Sequence, residues 1–149
     1  MKFYEDVPLN EPHHSTETYT VSAEEIMSFA GKWDPMPFHL DEQAAKQTPI
    51  GKLFASSIHT IAIGVRISHT MMKEEMAVIA GLGWQDVRFP VPVCAGDTLR
   101  MCAEVIEKRE SRSHPDRGIV TSQNKVINQN DEVVAEYKIV SLMMKHPPV

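Results

Sequence analysis

Cysteine is scarce in this chain: Cys94 and Cys102 are the only two, too few for a disulfide framework and spaced unlike any zinc-binding pair. Long apolar runs are missing as well. No stretch reaches the roughly eighteen apolar residues that a membrane-crossing helix needs. The opening Met1-Lys-Phe-Tyr-Glu-Asp-Val-Pro8 carries acids where a signal peptide has its apolar run, so no signal peptide is expected. Positive charge is not in excess either: fifteen Lys and Arg against twenty Asp and Glu leave −5. That balance argues against a broad electrostatic grip on nucleic acid and leaves polyanions only a local basic patch. Internal repeats, low-complexity tracts and domain linkers are also absent. What is there is 149 residues, 42% hydrophobic and 23% charged, the composition of one globular domain spanning residues 1–149. A soluble protein of a reducing compartment, the cytoplasm, is expected.

Residues 1–17 are polar, hold two prolines and the pair His13-His14, and read as an N-terminal arm. The His pair lacks a third ligand at a metal-binding spacing, so no metal site is expected there. Thr18–Val21 is β-prone, and Ser22-Ala-Glu-Glu25 is a capping box opening a helix. That helix is expected to end at Gly31, a good residue for the position after a helix. In Trp33-Asp-Pro-Met-Pro-Phe-His39, Pro35 and Pro37 fix φ and bias their predecessors toward extended geometry, which predicts a stiff loop and excludes a helix. A short helix over Asp41–Lys46 and a turn at Pro49 and Gly51 follow.

The longest helical signal runs from about Ser57 to Lys73. Ile58, Ile61, Ala62, Val65 and Met72 form one apolar stripe, and Ile63, Ile67 and Met71 a second. A helix apolar on most sides is expected to be buried. Strands are predicted over Leu82–Phe89, from Leu99 through Glu110, over Ile119–Ile127 and over Glu132–Met144, separated by turn-rich segments. Sequential hairpins favour an antiparallel sheet. One long helix laid on one face of it is an α+β arrangement, whose sheet edges need covering, for instance by dimerisation.

Three groups of residues are candidates for chemistry. Asp34 and His39 sit on the proline-stiffened loop, which can aim both side chains at one spot, and such a pair can polarise one water. The spacing alone is weak, and favours the plainer reading in which Asp34 turns the backbone and His39 is a packed histidine. Ser56 and Ser57 open the long helix, where small residues leave backbone N–H groups free and the helix dipole favours developing negative charge. They also read simply as N-caps, which is compatible with that role. His59, one turn in, reads as a packed helix histidine. Arg88, Arg112 and Arg117, with Arg100 and Arg109, are candidates for phosphate contacts, although a charged hairpin tip is usually just solvated. The nine methionines read as core filling.

Asp34-Pro-Met-Pro-Phe-His39-Leu-Asp41 resembles the catalytic Asp-x-x-Pro-x-His loop of the MaoC-like dehydratases, which include the (R)-specific enoyl-CoA hydratases. Pro49-Ile-Gly-Lys-Leu-Phe-Ala-Ser-Ser-Ile-His-Thr60 is similar to the segment leading into that family's central helix. Trp84-Gln-Asp-Val-Arg-Phe-Pro-Val-Pro-Val-Cys-Ala-Gly-Asp-Thr-Leu99 resembles the strand and Gly-Asp-Thr-Leu stretch that follow it. Ser113-His-Pro-Asp-Arg-Gly-Ile-Val120 also resembles a turn of such proteins. The four segments occur in the family's order and cover roughly residues 18–143.

The resemblance implies a hot-dog fold, an antiparallel sheet curled around a long central helix. It implies a homodimer, or an assembly of dimers, with sites near the subunit boundary, acting on thioesters of coenzyme A or acyl carrier protein. Asp34 and His39 inherit the role of activating the water added to, or removed from, a 2-enoyl thioester. Ser57 stands at the position whose backbone amide helps bind the thioester carbonyl in the family, next to the helix-start candidate Ser56. No metal or redox cofactor is implied, coenzyme A or the carrier being part of the substrate. Two positions depart from the family pattern: Met36 stands where many hydratases carry Asn, and Ser57 where Gly is common. The expected function is a hydro-lyase interconverting 2-enoyl and 3-hydroxyacyl thioesters. A hot-dog thioesterase and a non-catalytic acyl-thioester-binding protein are the alternatives.

Overall fold

In the computed structural model, which describes residues 1–149, the alternating segments become a six-stranded antiparallel sheet. Its strands are β1 (His13–His14), β2 (Tyr19–Thr20), β3 (Val78–Arg88), β4 (Thr98–Glu110), β5 (Arg117–Ile127) and β6 (Val133–Met144). β4, β5 and β6 form a meander with Met101 opposite Val126 and Val126 opposite Ala135. The expected run of hairpins breaks at β3, which crosses to the far edge and pairs with β6. Pro90 and Pro92 end its ladder, and the chain then bonds elsewhere: Ala55 N to Val93 O (2.7 Å), Ala95 N to Leu53 O (3.1 Å) and Gly96 N to Val21 O (2.7 Å). β3 therefore has one unpaired edge, and every one of its residues is exposed, Leu82 and Trp84 among them.

Four helices lie among the strands: α1 (Ala23–Trp33), α2 (Pro37–Leu40), α3 (Glu42–Lys46) and α4 (Ser57–Met71). Ser22 Oγ accepts the Glu25 N–H at 3.1 Å, the first half of the expected capping box. The Glu25 carboxylate, however, turns to Tyr19 and His59. Gly31 does not end α1. It stays helical, and the positive-φ glycines are Gly51 and Gly96. The helix instead runs on to Trp33, where it stops because Pro35 pushes Asp34 off helical geometry, to φ −154° and ψ 72°.

Nor do the prolines exclude a helix after Trp33. Pro37 occupies the first helical position of α2, where its fixed φ suits a helix and its missing N–H is no loss. At α3, Asp41 Oδ1 accepts from the amides of Gln43 (2.6 Å) and Ala44 (3.2 Å), a side-chain N-cap.

The long helix is less enclosed than its two apolar stripes predict. α4 packs on β4 and β6 and buries His59, Thr60, Ile63, Gly64 and Ile67. Ile58 and Ala62 of the other stripe face outward, because β3 lies across the sheet and gives them no cover. Gly64 allows the close approach to the sheet: a Cβ there would lie 2.6 Å from Tyr137 Oη and 2.8 Å from Val126 Cγ2. The core gathers Val21, Ile26, Leu99, Met101, Val126 and Tyr137 under α1 and α4.

Residues 10–15 run along the outer side of β4. Asn10 N bonds Val105 O (2.8 Å), Ser15 N bonds Met101 O (2.9 Å), and His13 and His14 pair opposite Ala103 and Cys102. Tyr4 and Val7 bury themselves against Val120 and Met143, with Tyr4 in contact with the face of Gly118. No three His, Cys, Asp or Glu side chains converge as metal ligands. No helix is long and apolar enough to cross a membrane.

Candidate active site

Asp34 caps the C-terminus of α1, its amide bonded to Ala30 O at 2.9 Å. The Pro35-Met36 turn, closed by Met36 N to Asp34 O (2.8 Å), swings the chain directly into α2 and brings His39 back toward Asp34. His39 Nε2 lies 3.6 Å from Asp34 Oδ2. The imidazole is buried between Phe38 and Phe54, each edge-on to it at centroid distances of 4.7 and 4.8 Å. His39 Nδ1 stands 2.8 Å from Phe54 O. A carbonyl only accepts, so Nδ1 carries the proton of the neutral ring and Nε2 presents a lone pair. Two acceptors, Nε2 and Oδ2, thus face one another across a gap suited to a molecule that donates to both.

Ser56 is the N-cap of α4 and is fully buried. Its hydroxyl makes no capping bond because it donates instead to Asp34 Oδ2 at 2.6 Å. Thr60 N is the first amide of α4 to find an intrahelical acceptor, Ser56 O at 3.1 Å. The amides of Ser57, Ile58 and His59 precede it and have none within the helix. Ser57, unlike Ser56, lines the cavity in front of the pair.

That cavity measures about 330 Å³. Asp34, His39 and Ser57 form its polar end, while Phe38, Phe54, Phe89, Val91, Val93 and Val134 contribute apolar walls. The arrangement suits a ligand with an apolar chain and a polar reacting group. A second compartment of about 250 Å³ shares Ile50, Val91 and Pro92 with it and is lined mainly by polar groups such as Lys52, Asn128 and Gln129. Cys94 also borders that compartment. Burial pushes its thiol up, which works against a thiolate nucleophile.

The sequence candidates separate in space. Asp34, His39, Ser56 and Ser57 come together. Arg88 ends β3, immediately before the cavity residue Phe89. Arg112 and Arg117 lie at the β4–β5 tip, Arg117 held by Asp116 at 2.9 Å. The cavity is at the opposite end of the sheet, near Val134 and the start of β4, so a thirteen-residue strand of roughly 40 Å separates them. Arg100 pairs with Asp131 at 2.8 Å. Sequence reasoning missed the Phe54 carbonyl, which carries no side-chain signal. It also missed the aromatic walls Phe38 and Phe54, and the pairing of Ser56 with Asp34, 22 residues away.

Known proteins resemble this chain in sequence and in fold. The family model described as MaoC like domain matches residues 6–130. An uncharacterized protein of Bacillus subtilis, YdeM, is 31% identical over 87% of this chain and 91% of its own length. The 3-hydroxyacyl-thioester dehydratase Z of Mycobacterium tuberculosis is 30% identical over 58% of this chain and 59% of its own. A MaoC-like dehydratase from Rhodospirillum rubrum superposes with a TM-score of 0.90 at 36% identity, covering 99% of this chain and 100% of that one. The fold is the hot-dog fold, shared with a double-hotdog protein of Mycobacterium tuberculosis (TM-score 0.75, 18% identity, 99% of this chain and 46% of that one).

Proposed function

The chain belongs to the MaoC-like dehydratase domain family, and from that premise we propose that it is a hydro-lyase adding water to, or removing it from, the 2,3-position of an acyl thioester. The observation that carries this reading is the facing pair of acceptors, Asp34 Oδ2 and His39 Nε2, at the polar end of an apolar cavity beside unpaired helix amides.

A water between the two donates one hydrogen to each and directs its oxygen lone pair into the cavity, toward Cβ of a bound 2-enoyl thioester. As the O–Cβ bond forms, the π electrons move through Cα onto the carbonyl oxygen. The Ser57 amide and the positive end of α4 stabilise that oxyanion. The proton released by the water passes to the dyad, the dyad delivers one to Cα, and the carbonyl re-forms with the enzyme back in its starting protonation state. One water is consumed, and no electrons leave the substrate, so the chemistry calls on no redox cofactor. Coenzyme A or a carrier-protein arm enters as part of the substrate.

The working unit in this proposal is a homodimer. β3 offers an unpaired edge and the exposed Val78, Leu82, Trp84 and Val87, and α4 offers the outward Ile58. Two copies joined antiparallel along β3 bring the partner's Arg112 and Arg117 to the end of the joint sheet that holds this chain's cavity. From there they can meet the phosphates of coenzyme A, together with this chain's Arg88.

The test is a panel of 2-enoyl-CoA substrates followed by absorbance and thiol release. Loss of enoyl absorbance without free thiol is the expected result. Thiol release would identify a thioesterase, and tight binding without turnover across the panel would identify an acyl-thioester-binding protein.

A further inference from the structure

We infer that His59 is a positioning residue for the dyad: by binding Glu25 it holds α1, and with it the Asp34 carboxylate, in register with His39. The inference rests on the hydratase reading above and extends it to residues outside the cavity.

His59 is buried on α4 and takes no part in the cavity lining. Its Nε2 lies 3.1 Å from Glu25 Oε1, and the same oxygen accepts the Tyr19 hydroxyl at 2.6 Å. A carboxylate only accepts, so Nε2 carries the ring proton. The ring stacks on Phe29 at 4.3 Å with an interplanar angle of 6°. Nδ1 is buried and has no partner. For filling space, leucine would serve at lower cost, since it leaves no unpaired lone pair in the core. An imidazole here has to be accounted for by what Nε2 holds.

What it holds is the helix that ends in Asp34. α4 reaches α1 through Ser56 and His59, three residues apart and so on one helix face. Ser56 binds Asp34 at the C-cap of α1, and His59 binds Glu25 in its first turn while stacking on Phe29, one turn further along. Ile26 and Ala30 seat α1 in the core, and the two ties, one near each end, fix its position along α4. Tyr19, from β2, secures the Glu25 carboxylate from the side of the sheet.

His39 is held separately. Its restraints are the Phe54 carbonyl and the rings of Phe38 and Phe54, none of which belongs to α1. The backbones of the two residues are joined through the Pro35-Met36 turn, but the His39 ring is anchored to Phe54 and the Asp34 carboxylate to Ser56, so the 3.6 Å gap between the side chains depends on both anchors. Releasing α1 at Glu25 changes that gap while the His39 bond to the Phe54 carbonyl stays in place. A displacement of about 1 Å in a reacting constellation costs on the order of 10²-fold in rate.

The experiment measures hydration of a four-carbon 2-enoyl-CoA by wild type, His59→Leu and His59→Gln, each also in an Asp34→Asn background. Crystal structures of wild type and His59→Leu accompany it. His59→Leu is expected to lower kcat by about 10- to 100-fold with KM held within about threefold. His59→Gln, whose amide N–H can still reach Glu25, should recover most of the loss. In the Asp34→Asn background the His59→Leu effect should vanish, because the positioned group is already gone. The inference is overturned if Gln is no better than Leu, or if His59→Leu lowers the rate by the same factor in both backgrounds. Should His59→Leu fail to fold, Glu25→Ala replaces it, and an unchanged kcat in that variant overturns the inference. Should wild type hydrate nothing, the hydratase reading fails, and the structures decide the positioning role alone. An Asp34 carboxylate displaced from Ser56 Oγ and His39 Nε2 in the variant sustains it, and an unmoved one overturns it.

Discussion

The Ser56 hydroxyl donates to Asp34 Oδ2 across 2.6 Å, joining the N-cap of α4 to the C-cap of α1. Two consequences follow from this one bond. The carboxylate oxygen nearest His39 is fixed in direction, and the first turn of α4 is deprived of its side-chain cap. The amides left open there are the ones that a substrate carbonyl requires. A lost cap usually weakens a helix by about 1 kcal/mol, so here a local weakness and a binding function share one cause.

Replacing Asp34 with Asn, or His39 with Gln, keeps the shape of the pair but removes proton exchange at that position. Each is expected to lower kcat by about 10²- to 10⁴-fold. The double variant should be little worse than either single one, because both groups act on one water. Steady-state hydration kinetics measure this. Two folded single variants with near wild-type rates would show the mechanism to be wrong.

Ser56→Ala should lower kcat by roughly tenfold, with a cost of about 1 kcal/mol in stability from the lost buried hydrogen bond. Urea unfolding alongside kinetics separates the two effects. An unchanged kcat would mean that Asp34 keeps its direction without the serine.

In a complex with an acyl-CoA, the thioester oxygen should lie about 3 Å from the Ser57 amide nitrogen. A crystal structure tests this directly. A carbonyl seated elsewhere, with Cβ still beside the dyad, would remove the helix terminus from the mechanism.

Gly64→Ala forces a Cβ to within 2.6 Å of Tyr137 Oη and 2.8 Å of Val126 Cγ2, and should destabilise the protein by about 1–3 kcal/mol. Tyr137 Oη is buried without a partner, and burial pushes the phenol up to about 12. Tyr137→Phe is therefore expected to be neutral or mildly stabilising and to recover part of the Gly64→Ala loss. Thermal unfolding of the four proteins in the cycle gives the coupling. Strict additivity would contradict the close approach.

Leu82→Lys places a charge on the exposed face of β3 and should shift a dimer toward monomer. Light scattering at micromolar concentration reads the mass. A wild type already at 16.8 kDa would end the dimer proposal.

Much of this architecture can be read from the residues. The alternation in Leu99–Glu110, Ile119–Ile127 and Glu132–Met144 marks three long strands within a residue or two, since period-two burial is a local signal. Asp34 and His39 stand out because prolines confine the chain between them. Other features depend on contacts that local pattern does not contain. Gly31 is an acceptable helix stop in isolation, and only Pro35 downstream decides that α1 continues to Trp33. Pro37 reads as a helix breaker unless it falls at the first helical position, which is where α2 begins. The two stripes of α4 are equally apolar. Burial of Ile63 rather than Ile58 is decided by the placement of β3 beside β6, a crossover no hairpin rule supplies. The Ser56–Asp34 bond is likewise a product of the tertiary fold, linking residues whose individual signals are those of ordinary caps.

The arm formed by residues 1–17 also bears on how many chains can join. Its residues 10–15, continued by β2, lie along β4 from Leu99 to Val105, occupying one border of the sheet with the chain's own backbone. On that side the outermost strands are only two residues long, so β3 is the one long border open to strand-to-strand addition. Growth by that route stops at a closed pair, because the propagation into filaments to which a sheet with two long free borders is liable finds only two-residue strands at the other side.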